Sequence, residues 1–164
     1  MALPDSDPDG FRVRPAHASD LPWLAEFEVT IARASFGVEA VTDPAVHSRR
    51  VSAALGRPGE LTLVAAESAG PTVGWAWLSR RTNAMTGAEY GNFRSLAVAD
   101  HPQRTAIGER LLAAVLDHCR SNEISEVVGR VHATNLPMRT LYRAFGFEPV
   151  HLTVRRRLSW ADPA

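Results

Sequence analysis

The longest amphipathic pattern in the chain begins after residue 103 and predicts a helix. Its apolar positions recur every three or four residues, the spacing that places side chains on one face of an α-helix. These positions hold Ile107, Leu111, Leu112, Val115, Leu116 and Cys119. Charged residues lie off this stripe, so we expect one face of the helix to pack against a core. Cys119 lies on the apolar face and is interpreted as a small core residue rather than a nucleophile.

The N-terminal part of the chain predicts a strand followed by two helices. Residues 11–14 alternate apolar and polar positions, which is typical of a short strand. A Ser-Asp pair offers an N-cap for a helix over residues 19–35. A second helix is expected over residues 43–56, because Asp43 is a favourable N-cap and Pro44 suits the first helical position.

Three apolar runs in the middle of the chain predict three strands, over residues 61–67, 73–79 and 90–98. An Ala-Gly-Pro sequence separates the first two runs and is typical of a hairpin. A longer loop over residues 82–88 separates the second run from the third.

The C-terminal part predicts a strand over residues 126–131, a helix over 137–145 that Gly146 ends, and a last strand over 150–154. The last strand is expected because its apolar and polar positions alternate cleanly. The complete order is strand, two helices, three strands, helix, strand, helix, strand. A meander followed by a strand–helix–strand crossover predicts a mixed α/β sheet.

The chain is expected to form a single domain over residues 11–158. Residues 1–10 are acidic and rich in Pro, so they are expected to be a disordered lead-in, and residues 159–164 are expected to be a C-terminal tail. A chain of 164 residues buries enough surface to fold without a disulfide or a metal.

Composition excludes several classes of partner. Eighteen basic residues balance eighteen acidic ones, so no field of one sign attracts nucleic acid or an anionic membrane. No apolar stretch approaches the roughly 20 residues of a transmembrane helix, and residues 1–10 do not resemble a signal peptide. One cysteine cannot form an intramolecular disulfide. We therefore expect a cytoplasmic protein.

No metal site is expected from the six histidines. They lie on different predicted elements, without the spacing or the cysteine partners of a zinc site. Solvated or locally bonded histidines are the favoured interpretation.

A candidate anion site lies where the third central strand leads into the long helix. The first backbone N–H groups of a helix have no intrahelical partner and lie at the positive end of the helix dipole. Ala106 and Gly108 are small enough to let a phosphate approach the backbone, and Arg104 adds a cation. A diphosphate fits such a site. The alternative is an ordinary strand-to-helix turn with an N-cap at Thr105.

A second candidate segment covers residues 135–147. The amide of Asn135 lies just before the predicted helix, where it either caps the helix or contacts a ligand. Tyr142 follows Leu141 of the buried stripe, so its hydroxyl is expected at the edge of the helix. The alternative is that Tyr142 is an amphipathic residue at the rim of the core.

The two segments together resemble the GNAT superfamily of N-acetyltransferases. Gln103-Arg-Thr-Ala-Ile-Gly108 is similar to the family's phosphate-binding signature, which has Gln or Arg, two variable positions, Gly, one variable position, then Gly or Ala. The Asn135…Leu-Tyr142…Gly-Phe147 segment is similar to the family's other hallmark. The resemblance extends from Phe11 to about Arg157. It implies an α+β fold with a mixed, mostly antiparallel sheet of about six to seven strands flanked by helices.

The resemblance implies a site for acetyl-CoA as cosubstrate. The strand matching residues 92–98 is expected to bulge and splay from the strand matching 126–131, so that the pantetheine arm lies between them. A backbone N–H near Val98 is expected to polarise the thioester carbonyl, and Tyr142 is expected to protonate the departing thiolate. The cofactor-binding residues implied are Leu96, Ala97, Val98, Gln103, Arg104, Thr105, Ala106, Ile107, Gly108, Asn135 and Tyr142.

The sequence departs from the family pattern in two places. Ala106 replaces the first motif glycine, and Arg104 holds a neighbouring position that is often glycine. Where many members carry an acidic residue on the central strand, this chain has Asn92, Arg94 and Ser95. Glu89 is the nearest carboxylate and is the candidate general base, acting through a water. An amine of low pKa, or bulk water, would make a dedicated base unnecessary.

The predicted function is transfer of an acetyl group from acetyl-CoA to a primary amine by direct attack in a ternary complex. The alternatives are a non-catalytic acyl-CoA-binding regulatory module and an interaction protein that shares only the fold. The acceptor is a small-molecule or peptide amine, and Trp75 and Trp77 are candidates to line its pocket. Three acidic residues, Glu28, Glu39 and Glu89, indicate either a cationic acceptor or scattered surface carboxylates. Homodimers are frequent in the family, and the sequence leaves the oligomeric state open.

Overall fold

The computed structural model describes residues 9–159, which contain one mixed sheet of five strands. The strands lie side by side in chain order, antiparallel from the first to the fourth, and the fifth is parallel to the fourth. They are β1 (Phe11–Pro15), β2 (Glu60–Glu67), β3 (Thr72–Thr82), β4 (Glu89–Val98) and β5 (Val127–Gly129). The predicted mixed, mostly antiparallel sheet is confirmed.

Helices cover both faces of the sheet. On one face lie α1 (Leu21–Phe36), which follows a short 3-10 turn (Ala18–Asp20), and α2 (Pro44–Ser52). On the other face lie α3 (Arg104–Ser121) and α4 (Leu136–Ala144). The Asp43 side chain accepts a hydrogen bond from the N–H of Ala45 at 2.9 Å, as expected of an N-cap that precedes Pro.

Alternation along β3 separates the two cores. Trp75 and Trp77 face α1 and α2, whereas Ala76 and Leu78 face α3. The apolar stripe of α3, including the buried Cys119, packs on the second of these faces as predicted. A side chain at Gly74 of β3 would lie 2.8 Å from both Ile107 and Leu111, so this glycine lets α3 approach the sheet closely.

The predicted strand over residues 150–154 is wrong, and the sheet has five strands rather than six to seven. Residues 148–159 have no regular secondary structure, and Val150, Leu152 and Val154 are 68%, 88% and 82% exposed. Alternation predicts a strand only where another strand pairs with the backbone and a core covers the apolar face. No described element supplies either one here.

Two other elements are shorter than predicted. The second helix ends at Ser52 rather than at residue 56, and β5 has three residues where six were expected over 126–131. Residues 1–8 and 160–164 lie outside the described part of the chain. The predicted lead-in and tail therefore fall almost entirely outside it.

Asp20 is a buried carboxylate that joins three parts of the fold. It accepts two hydrogen bonds from Arg14 at 2.8 and 2.9 Å, one from the N–H of His17 at 2.8 Å and one from the hydroxyl of Thr72 at 2.7 Å. Burial alone would raise the pKa of Asp20, but the bonds from Arg14, His17 and Thr72 outweigh it and lower the pKa to about 2.

We expect the Asp20 carboxylate to make the protein sensitive to acid. Its pKa is lower in the folded state than the value of about 3.9 in an unfolded chain. Its contribution to stability is therefore complete above about pH 4 and is lost as the pH falls towards 2. Asp20→Asn is expected to lower the free energy of unfolding by about 2 kcal/mol at neutral pH, and by less near pH 3.

Urea unfolding at the two pH values measures this difference. Asp43→Asn is the matched control, because Asn caps a helix as well as Asp does and Asp43 is exposed. An equal loss of stability for Asp20→Asn at both pH values would contradict the assignment.

Candidate functional site

Pairing between β4 and β5 ends after three residue pairs. Gly91, Asn92 and Phe93 pair with Val127, Val128 and Gly129, and no described strand pairs with the rest of this edge of β4. We call the space beside residues 94–98 the β4–β5 opening.

A β-bulge lies where the opening begins. Phe93 pairs with Leu78 of β3 and Ser95 pairs with Trp77, so Arg94 is an extra residue between two successive pairs. A bulge increases the local twist and re-aims side chains. The bulge that the resemblance implied is confirmed, and β4–β5 pairing ends where the implied splay would begin.

Backbone groups of β4 line the opening. The N–H of Ala99 donates to the carbonyl of Val73 at 2.9 Å and thus points towards β3. Because the N–H groups of successive strand residues point to opposite edges, those of Val98 and Leu96 point away from β3. The backbone of Ala97 points towards β3 and pairs with Trp75. Leu96 and Val98 therefore present to the opening backbone groups that pair with no strand within residues 9–159.

The start of α3 offers two free amides. Gln103 is the N-cap residue, which excludes Thr105 as the N-cap. The N–H of Arg104 donates to the carbonyl of His101 at 3.0 Å, and that of Ile107 to the carbonyl of Gln103 at 2.9 Å.

Gly108 lies far enough into the helix to bond to the carbonyl four residues earlier. Only the N–H groups of Thr105 and Ala106, of those between residues 103 and 108, have no acceptor among residues 9–159. The diphosphate site was expected over Arg104–Gly108. Within that range only these two N–H groups remain available as donors among the described residues, and the side chain of Arg104 is exposed beside them.

His101 fixes the turn that precedes these amides. Its Nδ1 accepts the N–H of Gln103 at 3.0 Å, so in the neutral ring Nε2 carries the proton and donates to Glu67 at 3.0 Å. The bond joins the turn to the end of β2. Sequence reasoning interpreted His101 only as a solvated or locally bonded histidine, and its partner in β2 is 34 residues away.

Asn135 caps α4. Its Oδ1 accepts the N–H of Met138 at 3.2 Å, which is the first of the two roles that the sequence left open. Gly146, which follows α4, has φ +78°, as predicted for the residue beyond a helix end.

The Tyr142 side chain reaches the start of the β4–β5 opening. It is 7% exposed, and its ring centroid lies 4.6 Å from that of Phe147 and 6.2 Å from that of Phe93. The hydroxyl lies against Gly129, where an added Cβ would clash with Oη and approach Cζ to 2.8 Å. Gly129 pairs with Phe93 in the last residue pair before the strands separate.

The Tyr142 hydroxyl has two properties that suit a hydrogen-bond donor. Burial raises its pKa, so the phenol keeps its proton at any neutral pH. No side chain or backbone group within residues 9–159 forms a hydrogen bond with the hydroxyl. The proton is therefore available to a ligand atom in the opening.

Glu89 is the first residue of β4 and lies five positions before the bulged residue Arg94. It pairs with Thr82 and forms an ion pair with Arg80. The hydrogen bond from Arg80 lowers the pKa of Glu89 and makes it a weaker base. Five residues of strand separate Glu89 from Arg94, which corresponds to about 16 Å. The structure does not bring Glu89 together with Tyr142.

Two carboxylates form hydrogen bonds with the tryptophans between the sheet and the layer of α1 and α2. Glu28 accepts the indole N–H of Trp75 at 2.8 Å and also pairs with Arg50. Glu60 accepts the indole N–H of Trp77 at 2.8 Å. Sequence reasoning found the two tryptophans but missed both carboxylate partners, which lie 47 and 17 residues away.

Residues 9–159 contain no group of three or more His, Cys, Asp or Glu side chains arranged to hold a metal ion. No helix in this part of the chain is long and apolar enough to cross a bilayer.

Comparison with known proteins shows one family and one fold. A family model described as an acetyltransferase (GNAT) domain matches residues 29–160. A protein from Bacillus halodurans has a similar structure with a TM-score of 0.80, at 15% identity, over 90% of this chain and 99% of that one. A search of curated proteins finds no significant match.

Two solved acetyltransferases are also similar to this chain. One is an acetyltransferase of Trypanosoma brucei, at 22% identity and a TM-score of 0.66, over 90% of this chain and 99% of that one. The other is an aminoglycoside 6'-N-acetyltransferase of Acinetobacter baumannii, at 16% identity and a TM-score of 0.69, over 92% and 99%. At these identities the likeness shows the fold alone.

Proposed function

The chain belongs to the GNAT acetyltransferase family, and from this premise we propose that it transfers an acetyl group from acetyl-CoA to a primary amine. The observation that carries the proposal is the β4–β5 opening. Free backbone groups line its edge, two unpaired amides lie at the start of α3, and the Tyr142 hydroxyl lies where the strands separate.

The residues of the α3 start fit a diphosphate. The N–H groups of Thr105 and Ala106 lie at the positive end of a helix of 18 residues, where an anion is stabilised. A Cβ at Gly108 would make only ordinary contacts, at 3.7 Å to Val98 and 3.8 Å to Leu141, so this position accepts either residue of the family signature. Arg104 supplies a positive charge that offsets the methyl group of Ala106.

The rest of the cofactor would lie along β4 and α4. The backbone of Leu96 and Val98 would pair with the amide groups of the pantetheine arm, as a strand pairs with its neighbour. Gln103 and Ile107 lie on either side of the two free amides and are joined by a backbone hydrogen bond. Ala97 pairs with β3 and fixes the position of this part of β4. Asn135 would reach the arm with the atoms of its amide that do not cap α4.

The chemistry follows from the position of Tyr142. The acceptor nitrogen attacks the thioester carbonyl carbon, the C–N bond forms, and the C–S bond breaks with its electrons on sulfur. A phenol with a raised pKa remains protonated and donates a hydrogen bond to the developing thiolate. The proton released from nitrogen passes to water and finally to the thiolate.

The proposed reaction needs no carboxylate base beside the opening. Glu89 was the candidate, and both its ion pair with Arg80 and its distance along β4 weigh against that use. An acceptor that arrives with its amine neutral requires only bulk water to take the proton after attack.

Direct attack is favoured over a covalent enzyme intermediate. Cys119 is the single cysteine of the chain, and it is buried on α3 with a pKa that burial raises. A buried thiol that keeps its proton is a poor nucleophile.

A thiol-release assay over a panel of primary amines tests the function. We expect release from acetyl-CoA that depends on the amine, and stabilisation of the protein by coenzyme A in a thermal melt. Stabilisation without release for any amine would instead support the regulatory binding module. The absence of both would leave only the fold in common with the family.

A further inference from the structure

We propose that the acceptor carries a carboxylate close to its amine and that Arg94 binds this carboxylate. The proposal names the substrate class of the transfer proposed above and rests on that function. It starts from a cation at the mouth of the β4–β5 opening that the sequence analysis considered only as a departure from the family pattern.

Arg94 occupies a position that only the acceptor side of the site would use. It is the bulged residue of β4 and the first residue after the last β4–β5 pair. Its guanidinium carbon lies 4.0 Å from the ring centroid of Trp77, on the face of the sheet that carries α1 and α2. Tyr142 belongs to the core on the opposite face. An acceptor that enters beside Arg94 would therefore approach the thioester from the side opposite the departing sulfur.

Arg94 has no ionic partner within residues 9–159. The two acidic side chains whose charges act on Arg94 already have other partners, Glu60 in Trp77, Ser79 and Arg81, and Glu28 in Trp75 and Arg50. Partial burial, followed by the charge of Arg50, lowers the pKa of Arg94. An anion bound here would favour the charged guanidinium and so offset both effects.

The carboxylates that suggested a cationic acceptor are all neutralised. Glu28 pairs with Arg50, Glu89 pairs with Arg80, and Glu39 accepts two hydrogen bonds from Arg157 at 2.7 and 3.1 Å. None of the three is free to hold a cation, so the structure favours the other interpretation, that of scattered carboxylates. The excess charge at the mouth of the opening is positive.

A carboxylate suits this position better than other anions of the acceptor. The planar guanidinium binds a carboxylate with two parallel hydrogen bonds, and the Trp77 ring holds the plane of Arg94 in place. The guanidinium carbon of Arg50 lies 5.6 Å from the centroid of the same ring, but Arg50 is already paired with Glu28.

Matched pairs of acceptors test the inference. Each α-amino acid is compared with its own carboxamide, with kcat/KM expressed per neutral amine, because loss of the carboxylate also lowers the pKa of the α-amine. For the wild-type protein we expect kcat/KM to be about tenfold higher for the acid than for the amide, as a charge-assisted hydrogen bond would give. Arg94→Gln is expected to remove the preference by raising KM for the acids while leaving the amides unchanged. Arg94→Lys is expected to retain part of it.

The control is Arg120→Gln, which removes the same charge from the exposed end of α3. Equal kcat/KM values for acids and amides in the wild type would overturn the inference. An equal loss of kcat/KM for acids and amides in Arg94→Gln would also overturn it. The acid-to-amide ratio of the wild type and of Arg94→Lys decides the matter if Arg94→Gln does not fold. Thiol release from none of the amines would reject the transferase itself, whereas equal release with amines that have and that lack a carboxylate would reject only the Arg94 assignment.

Discussion

Replacing Tyr142 with Phe is expected to lower kcat about 100-fold, because the loss of one positioned hydrogen-bond donor to a developing anion costs about 10²- to 10³-fold in kcat. The change removes one oxygen at the point where β4 and β5 separate. Without it, the departing sulfur must take its negative charge with no donor from α4.

The same substitution is expected to leave binding and folding almost unchanged. The ring of the new phenylalanine would still pack between Phe93 and Phe147, and the lost hydroxyl makes no hydrogen bond within residues 9–159. The affinity for acetyl-CoA should therefore stay within about twofold, since surfaces and amides elsewhere supply it. Steady-state kinetics and calorimetry measure the two quantities on the same samples.

Tyr90→Phe is the matched control, because the chain has two tyrosines and Tyr90 lies near the far end of β4. A kcat for Tyr142→Phe equal to that of the wild type at saturating substrate would rule out the hydroxyl as the donor. A large loss of acetyl-CoA affinity would show instead that Tyr142 acts in binding.

Local patterns in the sequence predict the parts of this fold that neighbouring residues determine. The periodicity of α3 depends on residues three and four apart, and it correctly predicts both the helix and the face that it buries. The apolar run over residues 73–79 likewise predicts β3, whose alternating side chains in the structure separate Trp75 and Trp77 from Ala76 and Leu78. The two motif segments, residues 103–108 and 135–147, predict the candidate site residues at the start of α3 and at Tyr142.

Partnerships between distant residues escaped prediction because no local pattern encodes them. The indole of Trp75 bonds to Glu28, and His101 bonds to Glu67, across 47 and 34 residues. The strand expected over residues 150–154 has the correct alternation, but the described sheet offers it no partner. Alternation alone is therefore weak evidence at the end of a chain.

The bulge at Arg94 shows most clearly what local sequence patterns fail to predict. One extra residue in β4 changes which side chains share a face, and a shift of that kind reverses a prediction based on strict alternation. Gly129 gave a usable signal, because a glycine within a strand often marks the close approach of another group. In this fold that group is the hydroxyl of Tyr142.

Thr105→Pro is expected to weaken the binding of acetyl-CoA about 10- to 100-fold, because a hydrogen bond to a charged group contributes about 1.5–3 kcal/mol. Proline removes one of the two free N–H groups at the start of α3. The helix itself should tolerate the change. Thr105 is the second residue of α3, and the second residues of α1 and α4 are already Pro22 and Pro137.

Thr105→Ala separates the amide from the side chain, because alanine keeps the N–H and loses the hydroxyl. Calorimetry with coenzyme A should give a dissociation constant close to that of the wild type for Thr105→Ala and a weaker one for Thr105→Pro. Circular dichroism of both variants checks that α3 remains folded. Equal affinities for the proline variant and the wild type would show that the diphosphate does not use this amide. An equal loss in the two variants would assign the contact to the hydroxyl. A selective loss in Thr105→Pro would place the diphosphate at the start of α3, where the helix dipole adds to the donors that the first turn leaves unpaired.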